Sequence, residues 1–474
     1  MITIDILNDL EDITETFDSK IIEIDLINEK YFEIDLENIL ETLYSMIDSY
    51  VSDNIINLKS YKFQKEVSRY LIDVLDEHNL FDNVDVTEYV EDCVDYYFNF
   101  IQVPRHLNHF KNPFTGNNIG EIEKRIDTLR KKPQPDQRTV EWFLFRGKHI
   151  TASSAWKSFE SQKTQNQLIY SKCAPINISQ KSSVNVNSAC HHGHKYEPLS
   201  TLIYEFENDT VIEEFGCLED DDTLYLAASP DGINVKKGNP LYGRLLEIKN
   251  PKSRIISGVP KVEYWVQMQF QMHVTKLHVC DFLETTFHEY ETEADYLKDG
   301  EFSLSTDNKH KGMIICFNDG FGPIYKYSPL NISKPEFDKW YENEIDENSN
   351  LSWIENVWWK VKIYSCVTVL YNKEWFEAAK PYFEKTWNTI SIEKNEGYEH
   401  RKATKRVIKP SNIISKHDDL ISKINKIANA EYNDKKNISI GVCNTSSNII
   451  SKSVGVIRIR TQSFDELNNA SNGN

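Results

Sequence analysis

The stretch Ala228-Ser229-Pro230-Asp231-Gly232, followed at residues 247–249 by Glu247-Ile248-Lys249, decides the reading of this chain. Thr223 to Ser229 has the composition of a strand, and Arg244 to Lys249 that of a second. Between them Asn234, Gly238, Asn239 and Pro240 are turn formers, so the spacing predicts a hairpin. Side chains alternate along a strand, which puts Glu247 and Lys249 on one face and Leu246 and Ile248 on the other, apolar one. Asp231 and Glu247 offer the oxygen ligands that Mg²⁺ prefers. A lysine beside such an ion can favour deprotonation of an attacking water or neutralise charge that grows on a phosphate. The spacing alone leaves a surface hairpin with an ordinary ion pair equally open, because short motifs match by chance.

Four further segments surround this pair in fixed order. They are Glu141-Trp142-x3-Arg146-x3-Ile150-Thr151-Ala152-Ser153, Gly193-His194-Lys195-Tyr196-Glu197-Pro198, Tyr264-x2-Gln267-x-Gln269-x2-Met272-x-Val274-Thr275 and, more weakly, Asn372-Lys373-Glu374-Trp375-Phe376 leading into a helix up to Trp387. Together with the Asp231 and Glu247 segments they resemble the YqaJ-type viral recombinase family, the phage lambda exonuclease-like group of the PD-(D/E)xK nuclease superfamily. The resemblance covers about residues 137 to 290. It implies an α/β fold, a restriction-endonuclease-like mixed sheet flanked by helices, here with an N-terminal helical domain added. It also implies that Glu197, Asp231, Glu247 and the carbonyl of Ile248 ligate one or two Mg²⁺ (or Mn²⁺) ions, that Lys249 assists the nucleophilic water, and that Gln267 orients that water or Lys249. Arg146, Ser153 and Ser229 stand where the family has its pocket for the 5′-phosphate of a DNA end.

The residues also speak for themselves. Tyr196, Leu199, Ile203 and Phe206 make a helical stripe, and Pro198, best tolerated near a helix start, places Glu197 at a helix N-terminus. There a first-turn acid complementing the helix dipole is the plainer reading of Glu197 taken alone. Gln267 and Gln271, four apart, share one helix face. The planar fork of Arg146 suits bidentate phosphate contact, although a salt bridge to one of the many acids would serve as well.

The 474 residues, 40% of them hydrophobic, give room for two or three domains. The net charge of −19 is uneven: residues 1–100 hold 25 acids and 6 bases, whereas residues 401–474 hold 13 bases and 6 acids. The acidic excess thus belongs to the N-terminal part and leaves a locally basic DNA groove open. Met1-Ile2-Thr3-Ile4-Asp5 lacks the basic start of a signal peptide, and no apolar run is long enough to span a bilayer. The eight cysteines are scattered without a C-x-x-C, which disfavours a disulfide framework, a zinc ribbon or an iron–sulfur centre. A soluble protein of a reducing, intracellular compartment is expected, in the cytoplasm or nucleus of an infected cell if the source is viral.

The expected organisation is an acidic, mostly helical domain over 1–105, a helix and hinge over 106–136, a nuclease domain over 137–400 with an insertion at about 291–360, and a basic, flexible tail over 401–474. The acidic surface reads as the solvated face of a helical cap before it reads as a docking or DNA-mimicking surface. Cys190-His191-His192-x-His194 is too tightly spaced to complete a tetrahedral metal site alone. The aromatic run from Trp353 through Trp358, Trp359, Tyr364 and Trp375 to Trp387 is assigned to core packing rather than base stacking.

These readings converge on a metal-dependent DNA exonuclease, 5′ to 3′ on linear duplex, that feeds recombination, replication or repair. The resemblance adds a homotrimer and a single-strand annealing partner. A structure-specific endonuclease with the same site, or a non-catalytic DNA-binding scaffold, are the alternatives.

Overall fold

A computed structural model describes residues 36–78, 86–109, 119–135, 139–175, 186 and 188–403, all within one unit, Met1–Ala403. The strands among them are, in chain order, β1 (Leu107–Asn108), β2 (Ile150–Thr151), β3 (Ile212–Glu213), β4 (Leu218–Glu219), β5 (Leu226–Ala228), β6 (Gly232–Asn234), β7 (Leu245–Lys249), β8 (Val279–Glu289), β9 (Lys311–Asn318), β10 (Pro323–Tyr327) and β11 (Ser352–Leu370). The larger sheet runs β10-β9-β11-β8-β7-β6-β3, with β1 also paired to β11; the smaller runs β2-β5-β4. Both sheets are mixed, since β7–β8 and β2–β5 are parallel and their other pairings antiparallel.

Helices flank this frame. Val262–Thr275 is buried over nearly its whole circumference, from Trp265 and Val266 to Val274 and Thr275, which suits a helix enclosed by the core. Helix Ala189–Asn208 presents Tyr196, Leu199 and Ile203 to Trp359 and Val361 of β11, and Tyr204 to Leu246, Ile248 and Leu283 of β7 and β8. The N-terminal helices Leu36–Asp53, Phe63–Glu77 and Thr87–Tyr96 share one apolar core with Trp375 and Phe376 of helix Lys373–Glu396, and the Trp375 indole donates to the Ile56 carbonyl at 3.2 Å. Residues 1–35 of the expected acidic domain and residues 404–474 of the expected basic tail lie outside the described residues. Within 291–360 lie β9, β10, helices Glu293–Lys298 and Lys334–Glu347 and the start of β11. Trp359 and Trp375 are fully buried, but Trp353 at the start of β11 is exposed.

Two local expectations are corrected. The segment before Asp231 does not form the first arm of the hairpin: β5 belongs to the smaller sheet, and β6 pairs with β7 instead, Gly232 opposite Leu246 and Ile233 opposite Leu245. Pro230 supplies no N–H to a ladder, so the chain leaves one sheet at Ala228 and enters the other at Gly232. Gly232 admits no side chain, because a Cβ there would stand 2.1 Å from Cγ2 of Ile212 on the neighbouring β3. Likewise Pro198 is internal to its helix rather than near the start. The helix begins at Ala189, where the Ser188 hydroxyl accepts from the His191 N–H at 3.1 Å. Glu197 therefore sits mid-helix, and the first-turn explanation for it falls away.

Beneath the sheet a buried ion pair ties three elements together. Arg244 Nη1 lies 3.2 Å from Asp281 Oδ1, and both side chains are fully buried. Tyr204 and Thr368 donate to the same carboxylate at 2.7 and 2.9 Å. Burial raises the Asp281 carboxyl, but the hydrogen bond from His109 and the Arg244 charge outweigh it and hold the group below the usual range. Asp281→Ala would remove the carboxylate that Arg244, Tyr204 and Thr368 share, and is expected to lower unfolding free energy by about 3–5 kcal/mol. A chemical denaturation curve displaced by less than about 1 kcal/mol would count against this role.

Candidate active site

The end of β7 carries the acidic cluster. Glu247 is completely buried and its carboxylate is fully engaged: Oε1 accepts from Gln267 Nε2 at 2.7 Å and from Lys249 Nζ, and Oε2 accepts from Gln271 Nε2 at 2.6 Å. Asp231 Oδ2 accepts from the Ile248 N–H at 2.7 Å, which docks the link between the two sheets against β7. Lys249 Nζ also donates to the Ile248 carbonyl at 3.1 Å, the same carbonyl the sequence reading named as a metal ligand. Gln267 is aimed at Glu247, neither at Lys249 nor at open space.

Charge in this cluster is unbalanced. Burial, and then the nearby Glu247 and Glu197 carboxylates, push the Asp231 carboxyl well above its ordinary value, against the pull of Lys249 and the Ile248 N–H. Burial opposes the Lys249 charge, but Glu247 and Asp231 prevail and raise its ammonium above the usual lysine range. Glu247 and Asp231 thus share the Lys249 cation, and Glu197 is near enough to act on Asp231. An oxygen-rich, electron-rich cluster of this kind fits a hard divalent cation, with Asp231, Glu247 and Glu197 as the side chains that would hold it.

Sequence reasoning missed several participants. Gln271 was legible only as part of a polar helix face; in the structure it clamps Glu247 and donates to the Ser229 carbonyl at 3.2 Å. Tyr264 lies with its ring 5.3 Å from Lys249 Nζ and 5.7 Å from the guanidinium of Arg254, which pairs with Glu284 of β8. No spacing rule signals that contact, because Arg254 and Glu284 meet across a loop and a strand.

A second group of polar side chains lies beside the first. Arg146 Nη2 is 3.2 Å from Ser153 Oγ, and the guanidinium stacks 4.4 Å from the Trp142 ring. Ser229 arrives from a neighbouring strand. Thr151 of β2 is in parallel register with Ala227 of β5, and Ser153 and Ser229 each follow that pair by two residues, Ser153 in a short helix. The Ser229 hydroxyl is turned to the Phe215 carbonyl at 3.3 Å and is not bonded to Arg146. Hydrogen bonding thus unites Arg146 with Ser153 but leaves Ser229 directed elsewhere.

Residues 141–278 match the family model of the YqaJ-like viral recombinase domain. That segment is similar to the YqaJ-like domain. Among curated proteins it is similar to an uncharacterized protein of Acanthamoeba polyphaga mimivirus, 30% identical over 303 residues, which cover 56% of this chain and 54% of that one. The chain thus spans about half the length of the curated relative it matches. Among solved structures it is similar to an alkaline exonuclease from Laribacter hongkongensis (17% identity, 54% of this chain and 95% of that one, TM-score 0.33). A phage-related exonuclease from Haemophilus somnus 129PT is also similar (10% identity, 52% and 96%, TM-score 0.29).

Glu197, Asp231, Glu247, Arg146, Ser153 and Ser229 all fall inside the matched residues 141–278. Two other candidate metal clusters do not resemble a catalytic centre. His109, Asp281 and Cys366 offer ligand atoms within 4.8 Å of one another, but Asp281 is already paired with Arg244. In the Cys190-His191-His192-x-His194 segment, Cys190 Sγ is 4.0 Å from His194 Nε2, whereas His191 Nε2 turns away to the Tyr325 hydroxyl at 2.6 Å. Among the described residues no helix is long and apolar enough to cross a membrane.

Proposed function

We propose that this chain is a Mg²⁺- or Mn²⁺-dependent deoxyribonuclease that degrades linear duplex DNA from its ends, 5′ to 3′, in viral recombination, replication or repair. The observation that carries this reading is the meeting of Asp231 and Glu247 at Lys249, with Glu197 close enough to act on Asp231, and with Asp231 two residues along the chain from Ser229. A divalent cation held by these carboxylates, with the Ile248 carbonyl as a further donor, would polarise a phosphoryl oxygen and make a nearby water more acidic.

The chain's own residues do the rest. Gln267 and Gln271 fix both oxygens of Glu247, so the ligand is set before substrate arrives. Lys249 is kept protonated by its acidic neighbours, which suits it to stabilise negative charge on the phosphate rather than to remove a proton. Arg146, Ser153 and Ser229 would hold the terminal 5′-phosphate and so confine cleavage to ends.

The test is incubation with Mg²⁺ of linear and covalently closed circular duplex of the same sequence. Loss of the linear form alone is expected. Nicking of the circle would favour a structure-specific endonuclease, and binding without hydrolysis of either a scaffold. The homotrimer and the annealing partner implied by the resemblance belong to the same proposal, and light scattering of the purified chain checks the first.

A further inference from the structure

Lys172, which none of the segments quoted above includes, is the feature that the reading above leaves unused. It lies near the end of helix Gln162–Cys173, and its Nζ donates to the Arg146 carbonyl at 2.7 Å. Around it stand Arg146, Lys157 of the turn Trp156–Phe159, Lys394 of helix Lys373–Glu396 and the buried thiol of Cys217. Among the described residues neither Arg146 nor Lys172 has a carboxylate within ion-pairing distance. The Trp142 indole N–H, in the ring beneath Arg146, is buried without an acceptor. Like charges gathered in a partly buried place without a counter-ion are unfavourable, and proteins retain such arrangements where an anion completes them. Burial, followed by the positive charge of Arg146, pushes the Lys172 ammonium down to about 7, a shift that a nearby anion would reverse.

We propose that Lys172 is a specificity-determining residue of the end pocket, where its ammonium joins Arg146 in binding the doubly charged terminal phosphate of a 5′-phosphorylated DNA end. The inference rests on the reading of Arg146, Ser153 and Ser229 as that pocket. A terminal phosphate carries close to two negative charges at neutral pH, an internal diester only one, so a second cation selects for the end. The 2.7 Å bond to the Arg146 carbonyl places Lys172 at the foot of the same arginine and orients the ammonium without neutralising it.

The experiment compares initial rates on 5′-phosphorylated and 5′-hydroxyl linear duplex for the unmodified protein, Arg146→Ala, Lys172→Gln and Lys172→Arg, with a thermal melt of each variant. Glutamine can still donate to the Arg146 carbonyl but carries no charge, so it separates binding from mere support of the helix end. Lys172→Gln is expected to reduce the preference for phosphorylated ends by about tenfold, through KM, and Lys172→Arg to keep it. If Lys172→Gln melts normally and keeps the full preference while Arg146→Ala loses it, Lys172 is only a structural lysine and the inference is overturned. If the unmodified protein shows no preference, the pocket itself fails and the inference with it. If Lys172→Gln does not fold, Lys172→Arg decides: a folded arginine variant without the preference overturns the proposal, and one that retains it upholds the requirement for charge.

Discussion

Asp231→Ala is expected to abolish phosphodiester hydrolysis, by on the order of 10³-fold or more, in a protein that still folds and binds linear DNA. Lys249→Ala should behave alike, since its partly exposed ammonium serves the cluster and not the core. Glu247 is different. It is buried beneath two glutamine amides and a lysine, so alanine there would orphan three donors and unfold part of the population. Glu247→Gln is the cleaner variant, keeping shape while removing charge. The same cluster links stability to pH and metal. The folded Asp231 carboxyl is raised above its unfolded value, so its contribution is stabilising at low pH and is lost as pH rises through the folded value. A divalent cation that neutralises the cluster should restore that loss. Thermal melts with Mg²⁺ or Mn²⁺ at 100 times the dissociation constant should gain about 2.7 kcal/mol. The gain should be larger at pH 8 than at pH 5 and absent in Asp231→Ala. Near-native turnover in Asp231→Ala, or an equal metal-induced gain, would sink the assignment.

Degradation of 5′-phosphorylated duplex should exceed that of 5′-hydroxyl duplex by roughly ten- to a hundredfold, the worth of a charge-assisted hydrogen bond of about 1.5–3 kcal/mol. Arg146→Ala should bring the two rates together and leave the metal-dependent gain in melting temperature intact, because the guanidinium recognises the end and is separate from the carboxylates. Its stacking on Trp142 holds the fork flat, so Arg146→Lys should also lose most of the preference. Equal rates before mutation, or attack beginning at 3′ ends, would remove the pocket and move the balance toward the endonuclease reading.

Much of this was readable in advance, for reasons that differ by residue. Glu247 and Lys249 alternate with Leu246 and Ile248 because strand geometry enforces a period of two, and that pattern survives any change of partner strand. The pairing partner was not readable. The segment before Asp231 and β6 are nearly contiguous, and only tertiary structure decides that a proline divides them between two sheets. Pro198 misled for the opposite reason, since local propensity favours it at a helix start and packing carried the helix back to Ser188. Gln271 and Lys172 act through contacts with residues far away in sequence, Glu247 and the Arg146 carbonyl, and periodicity is silent about such meetings. The N-terminal helices were visible as amphipathic stretches, but their common core with Trp375 was not.

The short link from Ser229 to Asp231 has one more consequence. It joins a sheet that would grip the end of a DNA strand to a sheet that would cut it, and Asp231 is pinned at its far side by the Ile248 N–H. Two residues of extended chain span roughly 7 Å, and a proline at the midpoint resists stretching or folding that distance. In the proposed reading the link is a caliper: the grip sets where the strand terminates, the carboxylate sets where it is severed, and the gap between them fixes the length of every fragment released. Lengthening the link by one residue would then change the size of the product before it changed the rate.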